Sequence, residues 1–210
     1  MQEKQDGSTR VELNTDDNIK IVGDLYEGDD TGIILLHMYT ATRQTWKSFA
    51  QELQKNGYTV LSIDLRGHGE SSLNYKQFTE EDFNDMLLDV KAAHSFLGKE
   101  KTVVVGASIG ANLALKFSEY VEGAIALSPS FNYKGIKTDE DAKKVSIPVL
   151  LVVSEEDIQS LGDTRKLHQL IKESDLKIYS NKGHGTRMLD TETKTLIFDW
   201  LVSNGFSVPA

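Results

Sequence analysis

Six short runs of apolar residues punctuate this chain, with amphipathic segments between them. The runs are Ile33-Ile34-Leu35-Leu36, Tyr58-Thr59-Val60-Leu61-Ser62-Ile63, Thr102-Val103-Val104-Val105, Ala124-Ile125-Ala126-Leu127, Val149-Leu150-Leu151-Val152-Val153 and Leu176-Lys177-Ile178-Tyr179. Runs of four to six apolar residues suit parallel strands covered on both faces. Between them, Trp46, Phe49, Ala50 and Leu53 recur at helical spacing, with Gly57 as a C-cap. Phe83, Leu87, Val90 and Leu97 continue the pattern behind Thr79 as an N-cap, and Leu167, Leu170 and Ile171 mark a further helix. Leu196, Ile197, Trp200 and Leu201 mark the last one. Earlier in the chain the apolar period is two. Val11 and Leu13, then Ile19, Ile21 and Leu25, flank the turn-like Asp16-Asp17-Asn18 and predict an antiparallel hairpin. The expected fold is therefore α/β, a doubly wound and mostly parallel sheet with an antiparallel N-terminal edge. At 210 residues, one domain over 1–210 is expected, with no internal repeat or linker.

The third run leads into Gly106-Ala107-Ser108-Ile109-Gly110, and Ala111-Asn112-Leu113-Ala114-Leu115-Lys116-Phe117 then reads as a helix. Strand, G-x-S-x-G and helix make a nucleophile elbow, a turn tight enough to hold the Ser108 hydroxyl above the sheet edge. The glycines answer a need for space, because a Cβ at 106 or 110 would crowd the neighbouring strand or the helix. Other glycine-rich readings fail. No G-x-G-x-x-G opens this helix and no G-K-[ST] follows it, so neither a dinucleotide fingerprint nor a P-loop fits.

A serine hydroxyl needs a base to become a nucleophile, and the base needs an orienting group. Five histidines are available. His94 and His168 fall inside helical patterns, and His37 ends a strand. His184 stands between Gly183 and Gly185 just past the last strand, with room to swing toward Ser108. An acid between the two in sequence order is expected after Val153, where Glu155, Glu156 and Asp157 compete. Asp157, deepest in the loop, is taken forward, with Glu156 next. An oxyanion needs two backbone donors. Ile109 N–H follows the nucleophile at a helix N-terminus; the second is expected from the loop after Leu36, Tyr39 before Met38. The Met38 and Tyr39 side chains are also candidate substrate contacts.

These residues together resemble the α/β-hydrolase superfamily over nearly the whole chain. The matching motifs are Leu36-His37, Asp64-Leu65-Arg66-Gly67-His68-Gly69-Glu70-Ser71, the GASIG elbow, the Asp157 loop and Gly183-His184-Gly185. The resemblance implies a structural role for His68, and a cofactor-free serine esterase with catalytic Ser108, Asp157 and His184. Thioesterase, peptidase and perhydrolase activities use the same triad, and a non-catalytic binding protein of the same fold is the competing class. Many relatives carry His-Gly where this chain has His37-Met38, so a side chain at 38 is expected to narrow the oxyanion loop or to change which N–H donates. Many also place a helical cap between the strands that here end at Leu127 and begin at Val149. Residues 128–148 are too few for a cap domain, which predicts an open site preferring short or medium acyl esters. Phe131 and Tyr133 are expected at its border or in loop packing.

The formal net charge of −9 argues against a nucleic-acid partner. With no cysteine, a thiolate metal site and a cysteine nucleophile are excluded. No metal ion or cofactor is expected; the partner is a small-molecule ester. The polar N-terminus, with no apolar leader core and no membrane-length apolar stretch in the chain, predicts a cytoplasmic protein.

Overall fold

The computed structural model describes residues 4–5 and 7–206; residues 1–3 and 6 of the polar N-terminal stretch, and 207–210, lie outside the described residues. The strands are β1 (Lys4–Gln5), β2 (Ser8–Asn14), β3 (Lys20–Tyr26), β4 (Thr31–Leu36), β5 (Thr59–Asp64), β6 (Lys101–Ala107), β7 (Gly123–Leu127), β8 (Asn132–Tyr133), β9 (Ile136–Lys137), β10 (Val149–Ser154) and β11 (Ser174–Tyr179). The helices are α1 (Lys47–Lys55), α2 (Glu80–Asn84), α3 (Met86–Leu97), α4 (Ile109–Lys116), α5 (Asp139–Ala142), α6 (Ile158–Leu170) and α7 (Thr191–Ser203). Nine strands form one sheet in the order β1-β2-β3-β5-β4-β6-β7-β10-β11. From β5 to β11 every pairing is parallel, and the β2–β3 hairpin closes the other edge antiparallel, as the alternation predicted.

Each apolar run feeds two cores at once, because successive strand side chains point to opposite faces. Ile33, Leu35, Val103 and Val105 pack under Trp46, Phe49 and Leu53 from the α1 side, and under Ile197, Trp200 and Leu201 of α7. Ile34, Leu36 and Val104 face the other way, against Met86, Val90 and Ala93 of α3 and Leu113 of α4. At the far edge Val149 and Leu151 join Ala111, Leu115 and Leu167. The helical pattern behind Thr79 is not one helix. Thr79 and Asp82 form a capping box on the short α2, and the chain resets at Asp85, where Leu88 N–H reaches the Asp85 carbonyl, before α3 runs on to Gly98.

The chain leaves β4 toward β5 on one side and β6 toward β7 on the other. Neighbouring strands whose connections part in opposite directions open a crevice at their carboxyl ends, where ligands of such sheets bind. The segment after β4 and the elbow after β6 flank that crevice. No cap domain lies between β7 and β10. Residues 128–148 hold the two-stranded β8–β9 hairpin and the single turn α5 instead. Lys134 and Gly135 link β8 to β9 with φ of 53° and 87°, as a tight two-residue hairpin turn requires. Among the described residues no helix is long and apolar enough to cross a membrane.

Candidate active site

Ser108 sits between β6 and α4 at φ 54°, ψ −113°, a backbone conformation that side chains rarely adopt. Its N–H donates to the Leu127 carbonyl at 2.9 Å, and its own carbonyl accepts from Ala111 and Asn112 N–H at 2.9 and 3.1 Å. These bonds hold the strained turn in place. The glycines do what the sequence asked of them. A Cβ on Gly106 would lie 1.9 Å from the Gly110 carbonyl oxygen, and one on Gly110 would lie 2.4 Å from the Leu36 carbonyl oxygen. The elbow is thus compressed from both sides. Ile109 opens α4, so its N–H has no intrahelical acceptor and stands at the positive end of the helix dipole.

Asp157 and His184 come together. Asp157 follows β10 as the N-cap of α6, its side chain accepting from Ser160 N–H at 3.4 Å. His184 Nδ1 lies 2.7 Å from Asp157 Oδ2. The acid is 8% exposed and the imidazole 38%. Burial pushes the Asp157 carboxyl up, but hydrogen bonding with His184, Ser128 and Ser160 outweighs burial and holds it below the ordinary carboxylate range. A carboxylate on Nδ1 fixes the tautomer and leaves Nε2 to exchange a proton with a reacting group. Ser108 Oγ and His184 Nε2 make no hydrogen bond with each other; such bonds are often long before substrate arrives. Ser108 is 3% exposed, and its hydroxyl is in polar contact with the Tyr133 hydroxyl from the β8–β9 hairpin. No cap domain separates β7 from β10, as expected, but Ser108 is not open to solvent, and Tyr133 of the β8–β9 hairpin lies beside it.

The loop after β4 is set by His37. This ring is fully buried, and burial pushes its pKa down to about 3, so it is neutral. Its Nε2 accepts from Leu65 N–H at 3.0 Å, which leaves Nδ1 to donate to the Met38 carbonyl at 2.8 Å. Ala41 N–H reaches the same carbonyl at 3.0 Å. In a trans peptide the N–H points opposite to the carbonyl, so the Tyr39 N–H is turned away from His37. That N–H has no hydrogen-bond acceptor among the described residues. The Met38 and Tyr39 side chains diverge. Met38 packs toward the histidine loop, where its sulfur would meet a Cβ on Gly185 at 3.1 Å. The Tyr39 ring instead lies among His68, Tyr75, Phe83 and Tyr133, with centroids 5.2 to 6.1 Å away.

The other candidates have other work. His68 is buried and stacked on Tyr75 at 4.4 Å, with Nδ1 on the Arg66 carbonyl. His94 lies edge-on to Phe117, and His168 Nδ1 meets Ser174 Oγ at 2.9 Å. Glu156 makes no bond to the imidazole, yet it is not an idle charge: its Oε1 accepts from Gly183 N–H at 2.6 Å and so holds the histidine loop. Sequence reasoning left Tyr133 undecided between site and packing, and missed Ser128, whose Oγ accepts from Gly185 N–H at 3.0 Å. The available signal was position: Ser128 immediately follows a parallel strand, as the elbow does.

The chain belongs to the α/β-hydrolase fold family, whose model matches residues 32–143. It is 31% identical over 97 residues to the AB hydrolase superfamily protein YisY of Bacillus subtilis, a match over 46% of this chain and 35% of that protein. It is 29% identical over 96 residues to a thermostable monoacylglycerol lipase of a Bacillus species, over 45% of this chain and 37% of the lipase. The chain therefore spans little more than a third of the length of these curated relatives. Among solved structures, an esterase from Pyrococcus furiosus superposes with a TM-score of 0.82 at 22% identity, covering 94% of this chain and 91% of that one. That likeness is one of fold.

Proposed function

We propose that this chain is a serine hydrolase that cleaves carboxylic esters of small molecules with short to medium acyl groups. The observation that carries the reading is the 2.7 Å contact between Asp157 and His184 Nδ1 at the same sheet edge as the strained Ser108. Ser108 Oγ attacks the ester carbonyl carbon as His184 Nε2 takes the hydroxyl proton. The imidazolium that forms is stabilised by the Asp157 carboxylate. The carbonyl oxygen becomes an oxyanion between the N–H groups of Ile109 and Tyr39. Collapse breaks the bond to the alcohol oxygen, which leaves with the proton from His184. Water then repeats the sequence on the acyl-serine, releasing the acid and restoring Ser108. The ester-cleaving names of the monoacylglycerol lipase and the Pyrococcus esterase support the same class.

A panel of p-nitrophenyl esters of graded acyl length tests this, with thioesters and amino-acid arylamides alongside. Turnover of acetate to hexanoate esters is expected, lost by roughly 10^4-fold in Ser108→Ala. Preference for thioesters or arylamides would move the substrate class, and wild-type turnover by Ser108→Ala would remove the mechanism.

A further inference from the structure

We infer that Ser128 is a positioning residue of this site, its hydroxyl tying the acid Asp157 to the loop that carries His184. The inference rests on the proposed triad and names a fourth side chain that holds it together. Ser128 follows β7, is 2% exposed, and has φ of 55°. Its backbone is fixed by N–H donation to the Val152 carbonyl on the neighbouring strand at 2.8 Å. A left-handed φ suits glycine, so a serine kept there, fully buried, points to use of its side chain.

Hydrogen-bond accounting gives that use. Gly185 N–H, one residue past the imidazole, donates to Ser128 Oγ at 3.0 Å. The same hydroxyl is in polar contact with the Asp157 carboxylate. An ionised carboxylate only accepts, and a hydroxyl has one proton to give. The proton therefore goes to Asp157 while a lone pair serves Gly185. One small group thereby fixes the β7 terminus, the α6 N-cap and the histidine loop relative to one another. Asp157 accepts from His184 and Ser160, has the Ser128 hydroxyl beside it, and is held as an anion facing Nδ1. The opposite side of the same loop is held by Glu156 through Gly183 N–H. The imidazole is thus set between two anchors, one on each flanking glycine.

Two variants separate the hydroxyl from the backbone. Ser128→Ala removes the hydroxyl and keeps the strained φ; Ser128→Gly removes it and suits that φ. Both are expected to lower kcat by roughly ten- to a hundredfold, the size of a lost hydrogen bond to a charged group, with KM changed less than about threefold. In an Asp157→Asn background the Ser128→Ala change should cost less than about threefold, since its effect passes through the acid. Ser128→Gly is expected to melt no lower than Ser128→Ala while staying equally slow. Independently of turnover, the proton NMR signal of His184 Nδ1–H should shift in both variants. If the signal shifts in both variants while the wild-type protein cleaves no ester, the triad reading fails and the positioning role stands. Unchanged kcat and an unchanged Nδ1–H signal in both variants would overturn the role. An equal cost with and without Asp157 would also overturn it.

Discussion

Replacing Gly106 by alanine asks whether the elbow is as tightly compressed as the strand and helix around it imply. The new Cβ would stand 1.9 Å from the Gly110 carbonyl oxygen, 2.2 Å from its carbon and 2.6 Å from Ala111 N. An ordinary contact begins near 3.4 Å, so the first turn of α4 must retreat by about 1.5 Å. It cannot do so freely, because Ser108 N–H is held by Leu127 and the far side of Gly110 already lies against the Leu36 carbonyl. Overpacking of this kind costs about 1–3 kcal/mol or more. For a chain of this size each kcal/mol lowers the melting temperature by roughly 2–4 °C, so Gly106→Ala should lose about 2–12 °C. Displacing Ser108 and the Ile109 N–H together should lower kcat/KM by roughly a hundredfold or more. Gly162→Ala is the control. That glycine lies in α6 with nothing within 4 Å of a new Cβ, and the change should raise the melting temperature by about 1–4 °C with turnover unchanged. Differential scanning calorimetry and steady-state kinetics on the three proteins decide the matter. Wild-type melting and turnover in Gly106→Ala would refute the compression argument.

Asp157→Asn should lower kcat by roughly 10^4-fold, because the amide no longer holds the imidazole tautomer or balances its charge. Glu156→Gln should cost less than about tenfold, since the remaining amide oxygen can still accept from Gly183 N–H; reversed results would move the acid to Glu156. The share of stability contributed by His37 should fall with acid between about pH 6.5 and 3. His37, held neutral with its pKa down to about 3, takes up a proton only on unfolding, so its contribution is full above about 6.5 and falls by at most about 1.4 kcal/mol per pH unit below it. His68, lowered by burial, acts in the same direction, and urea unfolding of wild type and His37→Gln across that range measures the His37 share, with equal slopes counting against it. Soluble short-chain esters should give ordinary saturation kinetics with no jump as substrate forms an emulsion; a steep rise there would make the β8–β9 hairpin a mobile lid.

The parts that were legible in the sequence share a physical cause. Ile33 to Leu36 and Val103 to Val105 read as strands because both faces are buried, which leaves no polar residue to obscure the run. Gly106 and Gly110 read as an elbow because two backbone segments approach closer than any Cβ permits. The break at Asp85 was illegible, since Phe83, Leu87 and Val90 keep their helical spacing across a local reset of the backbone. Tyr133 was ambiguous because the hairpin that turns it toward Ser108 has strands of two residues, too short to show alternation. Ser128 was invisible for another reason. A single serine carries no periodicity, and its partners Asp157 and Gly185 lie 29 and 57 residues away in the sequence. Choosing Asp157 over its acidic neighbours rested on loop depth, and the structure brings Asp157 to the imidazole while Glu156 takes the loop backbone.

Covalent labelling tests the central claim most directly. Incubating the protein with a fluorophosphonate and measuring intact mass should show one adduct per chain, with peptide mapping placing it on Ser108. Ser108→Ala should take no label, and His184→Ala should label at least a hundredfold more slowly, because the hydroxyl then lacks its base. No adduct on the wild-type protein, or an adduct on another residue at the same rate in Ser108→Ala, would contradict the assignment of Ser108 as an activated nucleophile.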